Sequence, residues 1–261
     1  MEASRSRASA SARPARESLR GAPPEEQAAA PAAPARHRRV PNRFIPPRWL
    51  HGAVIVGSLL PWAWLVYALA SDFFQGTRLL GSNPIKEAEH YSGQMTMRFL
   101  LVTLAITPAI RLLKQGWLIR YRRTFGLLAF TYATTHLLIY FTLDLELIWG
   151  DLLADVTDRI YITLGMAAFL LLLPLAITST KGWIRRLGSA RWNRLHRAVY
   201  AVVVLGLIHY WMAVKRDIRA PLVFIVLYAV LFGLRIWWSR RQPALARPPA
   251  SGQPASGPVS S

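Results

Sequence analysis

Six apolar stretches, each close to the length of a bilayer core, set the fold class of this chain: Trp49–Leu69, Met97–Leu113, Phe125–Leu143, Ile160–Ile177, Ala198–Val214 and Pro221–Trp238. A hydrocarbon core of about 30 Å takes about 20 helical residues. Lipid offers no hydrogen bonds to an open backbone, so such segments must be helices. The sequence therefore predicts an all-α membrane protein, a bundle of six transmembrane helices. Pro61, Pro108 and Pro174 fall inside the stretches, where a membrane helix tolerates them as local kinks.

The ends differ in kind. Residues 1–48 are rich in Ala, Pro and Arg, and residues 241–261 are similar. Neither end carries enough apolar surface to offset the entropy of ordering, so both read as disordered tails around one membrane domain spanning 49–240. The first apolar run starts too late and is too long for a signal-peptide core.

Charge sets the expected orientation. The formal net charge is +19. Lys and Arg collect in the N-terminal tail, in the second-to-third connection (Arg111, Lys114, Arg120, Arg122, Arg123) and in the fourth-to-fifth (Lys181, Arg185, Arg186, Arg191, Arg194, Arg197). These segments share one side, which the positive-inside rule makes cytoplasmic, with both termini inside. The third-to-fourth connection holds Asp144, Glu146, Asp151, Asp155 and Asp158, and no basic residue before Arg159. Only the short segment with Lys215, Arg216 and Arg219 runs against the pattern. Trp49, Trp117, Trp149, Trp211, Trp237 and Trp238 sit towards span ends, as interfacial anchors do. The positive charge fits an anionic membrane surface and lipid contact. It does not indicate nucleic acid, because the basic tail has no interleaved aromatics. With no cysteine in the chain, disulfides, thiolate metal sites, iron–sulfur clusters and cysteine nucleophiles are excluded.

The chemistry resides in the histidines. His37 lies in the tail, His51 at the first membrane boundary and His90 in an outer loop, where it could serve a partner or small-molecule site. His136 and His209 lie inside the third and fifth stretches. An ionisable residue at that depth marks function by default. Each follows a basic residue at the mouth of its helix, Arg123 and His196 respectively, by 13 positions. At 1.5 Å per residue both sit about 20 Å in. Both helices run the same way, so the two imidazoles share a level. Two facing imidazoles are what six-coordinate haem iron needs, and iron closed on both faces transfers electrons instead of binding substrate. The six apolar stretches contain no Asp or Glu, which weighs against a haem-free transporter or scaffold. Ala133, Gly126 and Gly206 leave room for a flat ring, or serve helix packing.

His196, at the cytoplasmic mouth, has Arg123 as its counterpart by register and no histidine. It admits several roles: ligand of a second haem with a non-protein partner, contact for a quinone or flavin, or hydrogen-bond donor to a propionate. On an ideal helix it would point about 140° away from His209. Arg122, Arg123, Arg194 and Arg197 beside it can pair with propionates or a flavin phosphate.

Several runs, in order, resemble a known family: NPIKEAEHYSG from Asn83, ITPAIR from Ile106, RRTFGLLAFTYATTHLLIY from Arg122 and TSTKGWIRRLGSARWNRLHRAVY from Thr178. Together they are similar to the YedZ/MsrQ family, the haem-binding membrane subunits of the bacterial periplasmic methionine-sulfoxide reductase system, within the ferric-reductase-like transmembrane domains. The resemblance covers about residues 49–240. It implies an inner-membrane bundle holding haem b, with FMN as a further cofactor. Electrons would come from the quinone pool or a cytosolic flavin reductase and pass to a periplasmic molybdopterin-containing reductase that repairs methionine sulfoxide in proteins. It carries haem-linked roles onto His136, His196 and His209, and matches His90 without assigning a role. The alternative is a ferric-chelate or other transmembrane reductase subunit. Such proteins usually add a cytoplasmic flavin and nicotinamide domain, for which the expected short tail after the last span leaves no room.

Overall fold

The computed structural model describes residues 46–214 and 218–241. Residues 1–45 and 242–261 of the two expected tails, with His37, and Lys215 and Arg216 of the short connection lie outside these residues. The chain forms α1 (Arg48–Gln75), α2 (Pro84–Leu113), α3 (Ile119–Ile139), α4 (Trp149–Asp158), α5 (Ile160–Ile177), α6 (Lys181–His196), α7 (Val199–Ala213) and α8 (Arg219–Arg241). A short 3-10 turn, Gly116–Leu118, leads into α3, and a π turn, Tyr140–Asp144, extends it. Among the described residues there is no strand. Six helical segments are long and apolar enough to cross a membrane, in agreement with the six stretches read from the sequence. The chain is an all-α, multi-pass membrane protein.

The inner layer consists of α2, α3, α5 and α7. Tyr132 of α3 is fully buried, stacks on Phe99 of α2 at 5.2 Å and donates its hydroxyl to the Ser58 carbonyl of α1 at 3.1 Å. Ala129 and Val203 are equally enclosed. On α1 and α8 large apolar side chains face outward, among them Val56, Leu60, Tyr67, Val223, Val226 and Val230. An exposed apolar surface of that extent suits lipid and not water.

Three features differ from the sequence expectation. First, α2 begins at Pro84, not Met97. Asn83 accepts the Lys86 N–H at 3.2 Å, and Pro84 occupies the first helical position. An N-cap of this kind, with proline behind it, starts a helix whatever the polarity of its first turns. His90 is therefore on a helix, not in an outer loop. The apolar stretch Met97–Leu113 has no carboxylate, but the helix that contains it carries Glu87 and a buried Glu89 in its first turns. At 30 residues α2 is about 45 Å long, more than a bilayer core requires, so its polar first turns stand at one end of the bundle. Second, the acidic connection folds into α4, with Trp149 and Leu153 exposed on one side of its acidic residues. Third, the basic fourth-to-fifth connection is the helix α6, interrupted at Gly188 (φ 73°, ψ 154°) and separated from α7 by Arg197–Ala198. His196 and His209 are thus on different helices, and an ideal-helix angle between them does not apply.

The two ends of the bundle keep opposite chemistry. Lys86 of α2 meets Asp144 at the end of the α3 extension at 2.7 Å and Glu89 at 3.3 Å. Asp155 of α4 accepts hydrogen bonds from Tyr140 and, at 3.1 Å, from Arg159. At the opposite end α6 carries Lys181, Arg185, Arg186, Arg191 and Arg194 and no carboxylate. Replacing Asn83 by Ala removes the cap of α2 and should cost about 1 kcal/mol. Hydrogen exchange in residues 84–88, compared with that of α5, checks it.

Candidate functional site

A cavity opens between α2, α3, α5 and α7, with Gly93, Met97, Leu100, Ala133, Gly165, Phe169, Leu172, Val202 and Gly206 along its walls. His136 and His209 both line it. Its apolar depth lies towards the middle of the bundle. Lys86, Glu89, His90, Asp144 and Arg159 stand at its mouth, at the acidic end.

The two imidazoles come from helices α3 and α7 and face each other with ring centroids 6.2 Å apart and planes 79° apart. The similar depth expected from helix rise brings them together. Each ring engages a main-chain carbonyl through the same atom. His136 Nδ1 lies 2.9 Å from the Glu89 carbonyl of α2. His209 Nδ1 lies 2.6 Å from the Tyr161 carbonyl of α5. A carbonyl only accepts, so in both rings Nδ1 carries the proton. A neutral imidazole with Nδ1 protonated keeps its lone pair on Nε2. Each histidine thereby presents one free ligand nitrogen, with its second nitrogen held as metal-ligating histidines generally are. A metal–imidazole bond is about 2 Å, so two imidazoles on opposite sides of one ion would place their centroids about 6 Å apart. The observed separation fits an ion between them, and the apolar cavity fits a macrocycle around that ion.

The remaining candidates divide. His90 is exposed at the cavity mouth, close to the site but not in its depth. His196 is not part of the cavity. It stacks on Trp192 at 3.9 Å, and its Nε2 is 3.2 Å from Thr178 Oγ1. Trp192 in turn donates to the Thr178 carbonyl at 2.9 Å, so α6 is pinned to the end of α5. Among the described residues no group of three or more His, Asp or Glu side chains gathers as a metal cluster. Arg122 is half-buried, whereas Arg123, Arg194 and Arg197 are exposed. His51 packs against Tyr121, centroids 5.5 Å apart, away from the cavity.

Sequence reasoning missed Glu89, Tyr161, Gly93, Gly165 and Arg159. The first two act through their carbonyls, which no side-chain pattern reveals. Gly93 closes the run from Asn83, yet its purpose depends on which ring meets it. Arg159 was legible only as the first cation after an acidic segment. Asp155 holds both Tyr140 and Arg159 at the cavity mouth and is largely buried. Asp155→Asn should lower stability by about 1–2 kcal/mol through weaker acceptance. It should also raise hydrogen exchange across α4 while leaving α7 unchanged.

Comparison with known proteins agrees with this architecture. Residues 92–207 match the family described as "Ferric reductase like transmembrane component". That segment holds His136 and stops just short of His209. The chain is 44% identical over 200 residues to the protein-methionine-sulfoxide reductase heme-binding subunit MsrQ of Caulobacter vibrioides, covering 76% of this chain and 92% of that one. It is 46% identical over 209 residues to the corresponding subunit of Xanthomonas axonopodis pv. citri, covering 77% and 93%. For that of Xanthomonas oryzae pv. oryzae the figures are 47% over 190 residues, 72% and 84%. At that identity, over nearly the whole length of those relatives, the chain belongs to the MsrQ family.

Proposed function

We propose that this protein is a membrane electron-transfer subunit that holds haem b between His136 and His209 and serves a methionine-sulfoxide reductase. The observation that carries this reading is the pair of imidazoles, 6.2 Å apart, each with Nδ1 committed to a carbonyl and Nε2 left to ligate. The names of the relatives, heme-binding subunits of such a reductase, support it. Haem, when bound, supplies a one-electron iron couple, and the protein supplies position and dielectric. His136 and His209 would hold its iron. Leu100, Phe169, Leu172 and Val202 would exclude water from it, and the residues at the cavity mouth would face its polar edge.

The finer parts of the reading rest on charge and family resemblance. The basic end, with α6, faces the cytoplasm, so both termini are cytoplasmic and the cavity mouth faces the periplasm of a bacterial inner membrane. Residues 49–240 form the membrane domain, and 1–48 and 241–261 are tails. A periplasmic molybdopterin-containing reductase takes the electrons at the acidic end. The quinone pool or a cytosolic flavin reductase delivers them at the basic end. There His196 and the half-buried Arg122 are the residues placed to contact an input cofactor, FMN by resemblance, whereas the exposed Arg123, Arg194 and Arg197 suit the anionic lipid surface. His90, at the mouth, suits contact with the reductase.

The match to the ferric-reductase-like family favours a second reading, a subunit that reduces a ferric chelate. The two differ in acceptor and not in the haem site. Haem content of the purified full chain tests the shared part. Wild type should show a Soret band and sharp reduced α and β bands. His136→Ala and His209→Ala should each abolish the low-spin spectrum, and His196→Ala should retain it. A wild-type preparation that takes up no haem, or a spectrum lost only with His196→Ala, overturns the assignment. Electron delivery to a purified methionine-sulfoxide reductase, set against delivery to a ferric chelate, separates the two acceptors.

A further inference from the structure

We propose that Gly93 and Gly165 are positioning residues for the two histidines: each strips the surface of its helix so that a histidine from the neighbouring helix can dock its Nδ1–H on the carbonyl one turn earlier. This role deepens the haem reading, and it rests on that reading only for its redox consequence.

The same arrangement occurs twice. His136 of α3 docks on Glu89 of α2, and Gly93 stands four positions after Glu89. His209 of α7 docks on Tyr161 of α5, and Gly165 stands four positions after Tyr161. In an α-helix the carbonyl of residue i already accepts the N–H of residue i+4. Its second lone pair can take a further donor. At Glu89 the Ser92 hydroxyl also lies 3.0 Å away but is closer to the Ala88 carbonyl, at 2.7 Å. The Cβ of residue i+4 is among the groups that crowd the approach. With glycine there, an imidazole can lie flat enough against the backbone to reach that lone pair.

The clearances show how tightly the space is used. A Cβ on Gly165 would lie 2.8 Å from His209 Nδ1 and 2.9 Å from Cε1. A Cβ on Gly93 would lie 3.4 Å from the same two atoms of His136. The other helical glycines make a control within the molecule. Gly52, Gly57, Gly150 and Gly233 would meet nothing within 4 Å. Gly126 would meet only Thr103 at 3.9 Å, Gly182 only Thr180 at 3.8 Å, and Gly206 only the flexible Met97 thioether, at 3.1 Å from sulfur. Among the described residues, the two glycines that press on imidazoles are the two that lie one turn after the docking carbonyls.

The device is graded. At Gly165 the ring has no room to stay where it is, because it is fixed on one side by the Tyr161 carbonyl at 2.6 Å. At Gly93 a contact of 3.4 Å is at the edge of ordinary van der Waals distance, so a methyl group there would touch the ring and displace it little. The two docks also set the angle between the ring planes, 79°. Donation from Nδ1–H to a carbonyl makes Nε2 a better electron donor while the ring stays neutral. Loosening the dock at His209 therefore weakens donation to iron and favours its reduced state.

The test uses the full chain in detergent, without and with haem. In the haem-free protein labelled with ¹⁵N-histidine, wild type should show His136 and His209 as Nδ1–H tautomers, assigned with His136→Gln and His209→Gln. Gly165→Ala should lose that signature for His209 alone. Gly93→Ala should disturb His136 less, and Gly57→Ala should disturb neither. In the haem-loaded protein, Gly165→Ala should shift the low-spin electron paramagnetic resonance lines, which report the angle between axial ring planes. It should also raise the midpoint potential, with Gly57→Ala again as control. The proposal is overturned if Gly165→Ala keeps the His209 tautomer signal, or if loaded Gly165→Ala matches wild type in spectrum and potential. A wild type that binds no haem would sink the haem reading, and the tautomer measurement would still decide the docking role.

Discussion

A histidine inside an apolar bundle has two ring nitrogens to satisfy and no water with which to do it. This chain solves the problem for His136 and His209 in the same way, by giving one nitrogen to a main-chain carbonyl of the facing helix. The rest of the site depends on that choice. It decides the tautomer, leaves Nε2 as the free nitrogen, and turns two isolated polar residues into an opposed pair 6.2 Å apart. It also dictates which helices must pack closely. α3 has to reach Glu89 on α2, and α7 has to reach Tyr161 on α5, so the inner four helices are the ones that enclose the cavity.

The cavity inherits its polarity from the same arrangement. Both docking carbonyls lie in the early turns of helices that start at the acidic end, so the histidine pair lies towards that end as well. The charged residues of the mouth pair among themselves: Lys86 bridges Glu89 and Asp144, and Asp155 holds Tyr140 and Arg159. The two cations of these pairs, Lys86 and Arg159, are about half exposed, whereas Glu89 and Asp155 are mostly enclosed. Deeper in, the walls are aliphatic and aromatic, which suits an apolar ring system and a low dielectric around its ion. The basic end has a different character. His196 is engaged by Thr178 and Trp192, and it belongs to α6 and not to α7.

Much of the fold was legible because its cause is local and repetitive. Six stretches of bilayer length require six helices whatever their partners, and prolines at positions 61, 108 and 174 do not change that. Depth along a helix is equally local: a fixed rise per residue places His136 and His209 at one level without knowledge of packing. Hydropathy was a poor guide at α2, because Lys86, Glu87, Glu89 and His90 read as loop. Their helix is started by an Asn83 cap and a proline, not by apolar character. Hydropathy also hid α4, which is not among the helices long and apolar enough to cross a membrane, and the helical start of the fifth span in α6.

By itself, then, the sequence determined the number of spans, the separation of acidic from basic ends and the shared depth of two histidines, because each depends on composition or on the helix repeat alone. Tertiary structure decided what the histidines hold on to. Every residue offers the same carbonyl, so nothing in the letters Glu89 or Tyr161 marks them as acceptors. Only the packing of α3 on α2 and of α7 on α5 selects them. Gly93 and Gly165 acquire meaning in the same step, since the absence of a side chain matters only where another ring comes to fill the space.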